Sequence, residues 1–126
     1  MVITAESYLK ENIDKSLTIK PWSEENNIPV FLRENYKFYE MTLLGKRTIL
    51  MEAVNGIPNI DQLQKHIRQI EHLTDLQAVL FCKEMTRYRR KTLIENRIAF
   101  VIEDGQMYLP FLGLDLRKAP EHVKDK

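Results

Sequence analysis

Thr86-Arg-Tyr-Arg-Arg-Lys-Thr-Leu-Ile-Glu-Asn96, running into Ile98-Ala-Phe-Val-Ile102, is the stretch whose reading decides the fold. Its first half predicts a short basic helix capped by Thr86, and its second half a β-prone strand. Just upstream, Leu76 to Cys82 is a nearly unbroken apolar run of strand length, which suits an interior strand covered on both faces. Downstream, Asp104-Gly105 predicts a turn and Met107–Leu109 a further strand. Strand, helix, strand in that order predicts an α/β domain.

Working toward the N-terminus, Asn55-Gly-Ile-Pro58 is a turn feeding the strongest helix signal in the chain. Asn59 is its expected N-cap, with Gln62 as capping-box partner. Ile60, Leu63, Ile67, Ile70 and Leu73 recur at spacings of three and four and predict one buried stripe. Lys65, His66, Arg68 and Glu71 lie off it and are expected to face water or a partner. Tyr36–Leu44 and Lys46–Val54 read as strands joined by a turn at Gly45 with Lys46, hence antiparallel. Ile28–Leu32 reads as a short strand, with Pro29 arguing for an edge or a strand start, and Lys20–Asn27 as a loop. Thr4 to about Lys15 predicts a helix with Tyr8, Leu9 and Ile13 on one side. The expected fold class is therefore α/β (α+β), a mixed sheet with an antiparallel hairpin and packed helices. Residues 1–116 form the expected domain, and 117–126 a polar tail or linker.

The composition is that of an ordinary globular protein, with 126 residues, 44% apolar and 29% charged. A net charge of +1 removes any bulk electrostatic drive toward nucleic acid or an anionic membrane, so such binding requires a local patch. One cysteine, Cys82, permits neither an intrachain disulfide nor a thiolate zinc site; its place in an apolar run predicts a buried thiol. The first residues lack a signal-peptide pattern and no apolar stretch reaches membrane-spanning length, so a cytoplasmic location without membrane partners is expected.

Two readings of the basic segment stand side by side. Arg87, Arg89, Arg90 and Lys91, with Tyr88 among them and Arg97 following, have the composition of a phosphate-contact or partner surface on which Tyr88 stacks. Alternatively this is a solvated helix face with Tyr88, Leu93 and Ile94 turned to the core. The aromatic residues Trp22, Phe31, Tyr36, Phe38 and Tyr108 likewise suit either a small-molecule pocket or interface, or plain core on alternate strand positions. Within this group Trp22, in a polar loop, is the one expected to be exposed.

Signals for chemistry are missing. His66, His72 and His122 show no metal-ligand spacing, and surface positions are expected for them. Ser7, Ser16 and Ser23 sit in no nucleophile elbow, and Gly45, Gly56, Gly105 and Gly113 are isolated turn residues. The element order is similar to that of restriction-endonuclease-like folds, whose nucleases hold Mg²⁺ with an acid on one strand and Glu-x-Lys on the next. Here Val54 stands where the lysine belongs, and Glu40 and Glu52, which could meet across the hairpin, make a poor catalyst without it. No catalytic, cofactor or metal residue is assigned, and the expectation is that the chain is not an enzyme.

Three stretches carry a resemblance: Phe38–Lys46, Leu63–Ile70, and Thr86–Glu95 with its continuation Tyr108-Leu-Pro-Phe-Leu-Gly-Leu-Asp-Leu-Arg117. They resemble the N-terminal region of a group of Gram-positive bacterial transcriptional regulators of the MarR (winged-helix) family, over most of the chain after residue 30. The resemblance implies a non-catalytic domain that senses an effector or dimerises, with a winged-helix DNA-binding domain beyond residue 126. DNA would then be bound mainly through that further domain. A stand-alone protein–protein interaction module of mobile-element origin is the alternative, ahead of a degenerate nuclease-like domain.

Overall fold

The computed structural model describes residues 6–7, 9–11, 13–24, 27–103 and 106–116. Among these, seven strands form one sheet whose spatial order equals the sequence order: β1 (Thr18–Pro21), β2 (Tyr36–Leu43), β3 (Lys46–Ala53), β4 (Gln77–Cys82), β5 (Phe100–Ile102), β6 (Met107–Leu109) and β7 (Leu114–Leu116). β3–β4–β5 are parallel and the remaining pairs antiparallel, so the sheet is mixed. The helices are α1 (helical at residues 6–7 and 9–11), α2 (Val30–Asn35), α3 (Ile60–Thr74) and α4 (Arg87–Glu95).

The period of two along each strand divides the core between the two faces. Tyr36, Phe38, Ile49, Met51, Leu80 and Phe100 face α2, α3 and α4 through Leu32, Leu63, Ile70 and Leu93. Met41, Leu50, Val79, Phe81, Val101 and Met107 form the other layer with Leu9 of α1 and with Leu17. β4 lies in the middle and is buried at five of its six positions, which is why it reads as a continuous apolar run.

The β2–β3 hairpin turns through Leu44 and Gly45, both at positive φ (53° and 79°), the condition a two-residue loop imposes. The turn thus sits one residue earlier than expected, and the antiparallel pairing is as expected. At the entry to α3, Asn59 Oδ1 accepts the Gln62 amide at 2.9 Å. The stripe holds at Leu63 and Ile70, with Ile60 and Ile67 partly covered, but Leu73 is 47% exposed.

Four expectations change. Ile28–Leu32 is not a strand: Val30–Asn35 is helical, entered through Pro29 (φ −54°), whose carbonyl accepts the amides of Leu32 and Arg33 at 3.0 and 3.1 Å. Proline presets this helix entry, and burial of Ile28 and Leu32 four residues apart outweighs the β propensity of Val30 and Phe31. The loop expected at Lys20–Asn27 begins later, because Lys20 and Pro21 belong to β1. β7 was not foreseen. His66 and Glu71 do not point freely into water; both are half-buried and hydrogen-bonded inside the protein. Thr4, Tyr8, the Asp104-Gly105 turn, His122 and the tail 117–126 lie outside the described residues.

Candidate nucleic-acid interface

α4 begins as its sequence demands: Thr86 Oγ1 accepts the Arg89 amide at 3.1 Å, satisfying one donor of the first turn. Leu93 is fully buried and Ile94 packs against the core, fixing which side of α4 meets the sheet. This orientation splits the basic run in two.

Arg89 and Arg90 are half-buried and bonded within the protein. Arg89 Nη1 donates to the carbonyls of Ile57 and Pro58 at 3.2 and 2.7 Å, and Arg90 Nη1 donates to Gln106 Oε1 at 2.9 Å. They fasten α4 to the β3–α3 loop and to the segment entering β6. Arg87 and Lys91, one helical turn apart, are exposed and form no ion pair among the described residues. Tyr88 between them is 77% exposed, so of the two readings the one that turned it to the core with Leu93 and Ile94 does not hold. With Leu93 and Ile94 already facing the sheet, Tyr88 has no side left that reaches it. Arg97, just past the helix, is exposed as well. From Lys83 to Arg97 the chain has six basic and two acidic residues, against +1 overall, so the local patch that the composition required is present.

Of the aromatic group, Tyr36, Phe38, Tyr108 and Trp22 gather on one face of the sheet as core, and Phe31 does not. Tyr36, Phe38 and Tyr108 are at most 8% exposed, with Tyr36 against Phe38 at 5.9 Å and Phe100 against Tyr108 at 5.9 Å between ring centroids. Trp22 is not the exposed member: it is half-buried, its amide donates to the Phe38 carbonyl at 3.0 Å, and it packs against the core on the Phe38 face. Extending β1 by one residue turns Trp22 toward the face that Phe38 occupies. The large hydrophobic members of α2 that are exposed are Val30 and Phe31, at 57% and 46%.

A cleft of about 340 Å³ opens where β3 and β4 end, lined by Ala53, Ile57, Lys83, Met85, Thr86 and Arg89. Cys82 borders it from below and is 5% exposed. Parallel strands leave such crevices at their carboxyl ends, and this one combines an apolar wall with cationic side chains.

The two hairpin carboxylates do not meet. Register places Glu40 opposite Ile49 and Glu52 opposite Lys37, so they project from opposite faces of the sheet. Arg47 Nε donates to Glu40 at 2.7 Å, and this pairing holds the Glu40 carboxyl below its usual range. Glu52 accepts the Tyr39 hydroxyl at 3.0 Å; burial first, and then this carboxylate, push the Tyr39 pKa up to about 12. Among the described residues no three His, Cys, Asp or Glu side chains converge as a metal site. No described helix is long and apolar enough to cross a membrane.

Sequence reading missed the pairing of His66 with Tyr36. The Tyr36 hydroxyl lies 2.8 Å from His66 Nδ1, and the rings meet edge to face at 5.6 Å. They are thirty residues apart, and only the packing of α3 across β2 joins them. Compared with known protein families, curated proteins and solved structures, the chain matches none.

Proposed function

We propose that this chain is the non-catalytic regulatory domain of a bacterial DNA-binding transcriptional regulator, and that the outer face of α4 touches the DNA backbone. The resemblance of Phe38–Lys46, Leu63–Ile70 and Thr86–Arg117 to the N-terminal region of MarR-family regulators supports the regulatory part. The carrying observation is the division of the basic run: Arg87 and Lys91 stand uncommitted on either side of an exposed Tyr88, while Arg89 and Arg90 brace the helix from within. Such a surface adds affinity through phosphates without reading sequence. The cleft beyond β3 and β4 touches α4 through Thr86 and Arg89, so an effector bound there would bear directly on the helix that meets DNA.

The test is duplex DNA binding across a salt series. Replacing Arg87 and Lys91 by alanine removes two phosphate contacts and lowers the slope of log K against log salt by about 1.8. An unchanged slope would overturn the assignment of DNA contact to α4.

One observation favours a second reading, a protein-interaction module. Val30 and Phe31 lie side by side and exposed on α2, which moves the partner surface from Trp22 to α2. Phe31→Asp would then abolish partner binding or self-association in sedimentation and leave the salt series untouched.

A further inference from the structure

Arg97 occupies a backbone position that suits glycine. It lies in the left-handed region at φ 56°, its amide donates to the Ile94 carbonyl at 3.0 Å, and the Ile98 amide donates to the Leu93 carbonyl at 2.9 Å. These two bonds close α4 in the Schellman pattern, where the residue at this position is usually glycine because a β-carbon strains the left-handed backbone. An arginine here costs the fold conformational energy and returns no bond to it. Among the described residues the Arg97 guanidinium makes neither a hydrogen bond nor an ion pair.

A second uncommitted guanidinium shares its surroundings. Arg68 of α3 and Arg97 line one cleft, of about 290 Å³, between α3, the start of β4 and the segment joining α4 to β5, together with Gln64, Glu71, Gln77 and Asn96. The other polar groups hold one another. Gln64 Nε2 donates to Asn96 Oδ1 at 3.2 Å and Asn96 Nδ2 to the Thr92 carbonyl at 2.9 Å. Glu71 Oε2 accepts the Gln77 side-chain amide at 3.0 Å and the Ala78 amide at 2.9 Å. The Gln64–Asn96 bond fixes the residue before Arg97 against α3. Arg68 and Arg97 thus both line a polar cleft in which Glu71, the one carboxylate among the described lining residues, already accepts from neutral donors.

We propose that this cleft is a phosphate-binding site in which Arg68 and Arg97 clamp one phosphate group. Paired planar guanidinium forks match the oxygens of a phosphate, and the strained Arg97 backbone is accounted for by a ligand rather than by the fold. The site is separate from Arg87 and Lys91, so it stands or falls apart from the α4 surface. The same chemistry is offered by free phosphate, by a phosphomonoester and by the nucleic-acid backbone.

The experiment is calorimetric titration of inorganic phosphate, and separately of a short DNA duplex, at matched ionic strength in chloride. The proteins are wild type, Arg97→Gly and Arg68→Gln, with thermal melting of each. Arg97→Gly is expected to melt higher than wild type and yet bind phosphate at least about tenfold more weakly. Arg68→Gln should lose binding with its melting temperature unchanged. Saturable phosphate heat lost in both variants assigns the site to free or monoester phosphate. Heat with the duplex alone, weakened by the same variants, assigns it to the nucleic-acid backbone. Wild type that binds neither anion, or Arg97→Gly binding as wild type does, overturns the proposal. A failure of Arg87 and Lys91 in the salt series would remove the α4 contact and leave this cleft standing.

Discussion

Arg89 Nη1 holds the Pro58 carbonyl at 2.7 Å, tying the first turn of α4 to the loop that feeds α3. This half-buried bond makes Arg89 a brace and leaves Arg87, two residues earlier, with no structural task. Arg89→Ala should therefore cost about 1–3 kcal/mol, the range for bonds to a charged donor, and lower the urea midpoint at unchanged m. Arg87→Ala should stay within about 0.5 kcal/mol of wild type. Equal effects of the two in urea unfolding would refute the division of the basic run.

Tyr88 is the most exposed large hydrophobic side chain among the described residues, at 77%. Tyr88→Ala should leave stability within about 0.5 kcal/mol. If the ring stacks on bases, the same variant loses about 1–3 kcal/mol of single-strand binding, read by fluorescence anisotropy. Loss of stability without loss of binding would put Tyr88 back among the structural residues.

His66 carries a pH dependence of known sign. Burial holds its pKa below the ordinary 6.5, so the unfolded chain takes up the proton first. Its contribution is complete above about pH 6.5 and is lost as pH falls through the folded value. The Tyr36 hydroxyl lies 2.8 Å from Nδ1, and in the tautomer that leaves Nδ1 bare protonation removes an acceptor for it. Urea midpoints measured from neutral to mildly acidic pH should decline in wild type and decline less in His66→Gln. Identical declines would place the titration elsewhere.

Leu44 offers a stabilising change. Its φ of 53° strains a β-carbon, and its side chain is half exposed, so little burial is lost on replacement. Leu44→Asn should gain roughly 0.5–1 kcal/mol, since asparagine tolerates this region in a two-residue hairpin turn. Thermal melting decides it: a lower melting temperature would mean that the leucine side chain packs to some purpose.

Asp14 anchors the same turn from outside the hairpin. Its Oδ1 accepts the Ser16 hydroxyl at 2.7 Å and the Ser16 amide at 2.9 Å, while Oδ2 accepts the Leu44 amide at 2.6 Å. The Ser16 hydroxyl first, then the Leu44 amide, then the Ser16 amide hold its carboxyl below the usual 3.8. The anchoring is present above that ordinary value and is lost as pH falls through the depressed one. Amide exchange at Leu44 should accelerate on acidification relative to its intrinsic rate, and Asp14→Ala should show the faster exchange at every pH.

Much of the frame was legible because its signals are local. Asn59 and Thr86 are read as caps from residue type and position alone, and each accepts an amide as expected. β4 was legible because a strand covered on both faces cannot alternate. α2 was not: six residues of Val-Phe-Leu character carry no helical period long enough to outweigh β propensity, and only the burial of Ile28 and Leu32 decides it. β1 ends in Pro21 and β7 carries Asp115 at its centre, so neither shows the β-prone run that marked the similarly short β6.

The candidate sites divide the same way. That a basic helix exists, and that the charges of the whole chain nearly cancel, is written in the chain. The division among its residues is not: which arginines brace the fold and which face outward follows from the direction in which Leu93 docks. The tertiary structure alone placed Tyr36, Phe38 and Tyr108 in the core, set Glu40 and Glu52 on opposite faces, and brought Arg68 beside Arg97. Capping and periodicity act over a few residues and can be read from order alone. The commitment of a long polar side chain depends on partners brought near by packing, and here those partners lie from sixteen to thirty-two residues away.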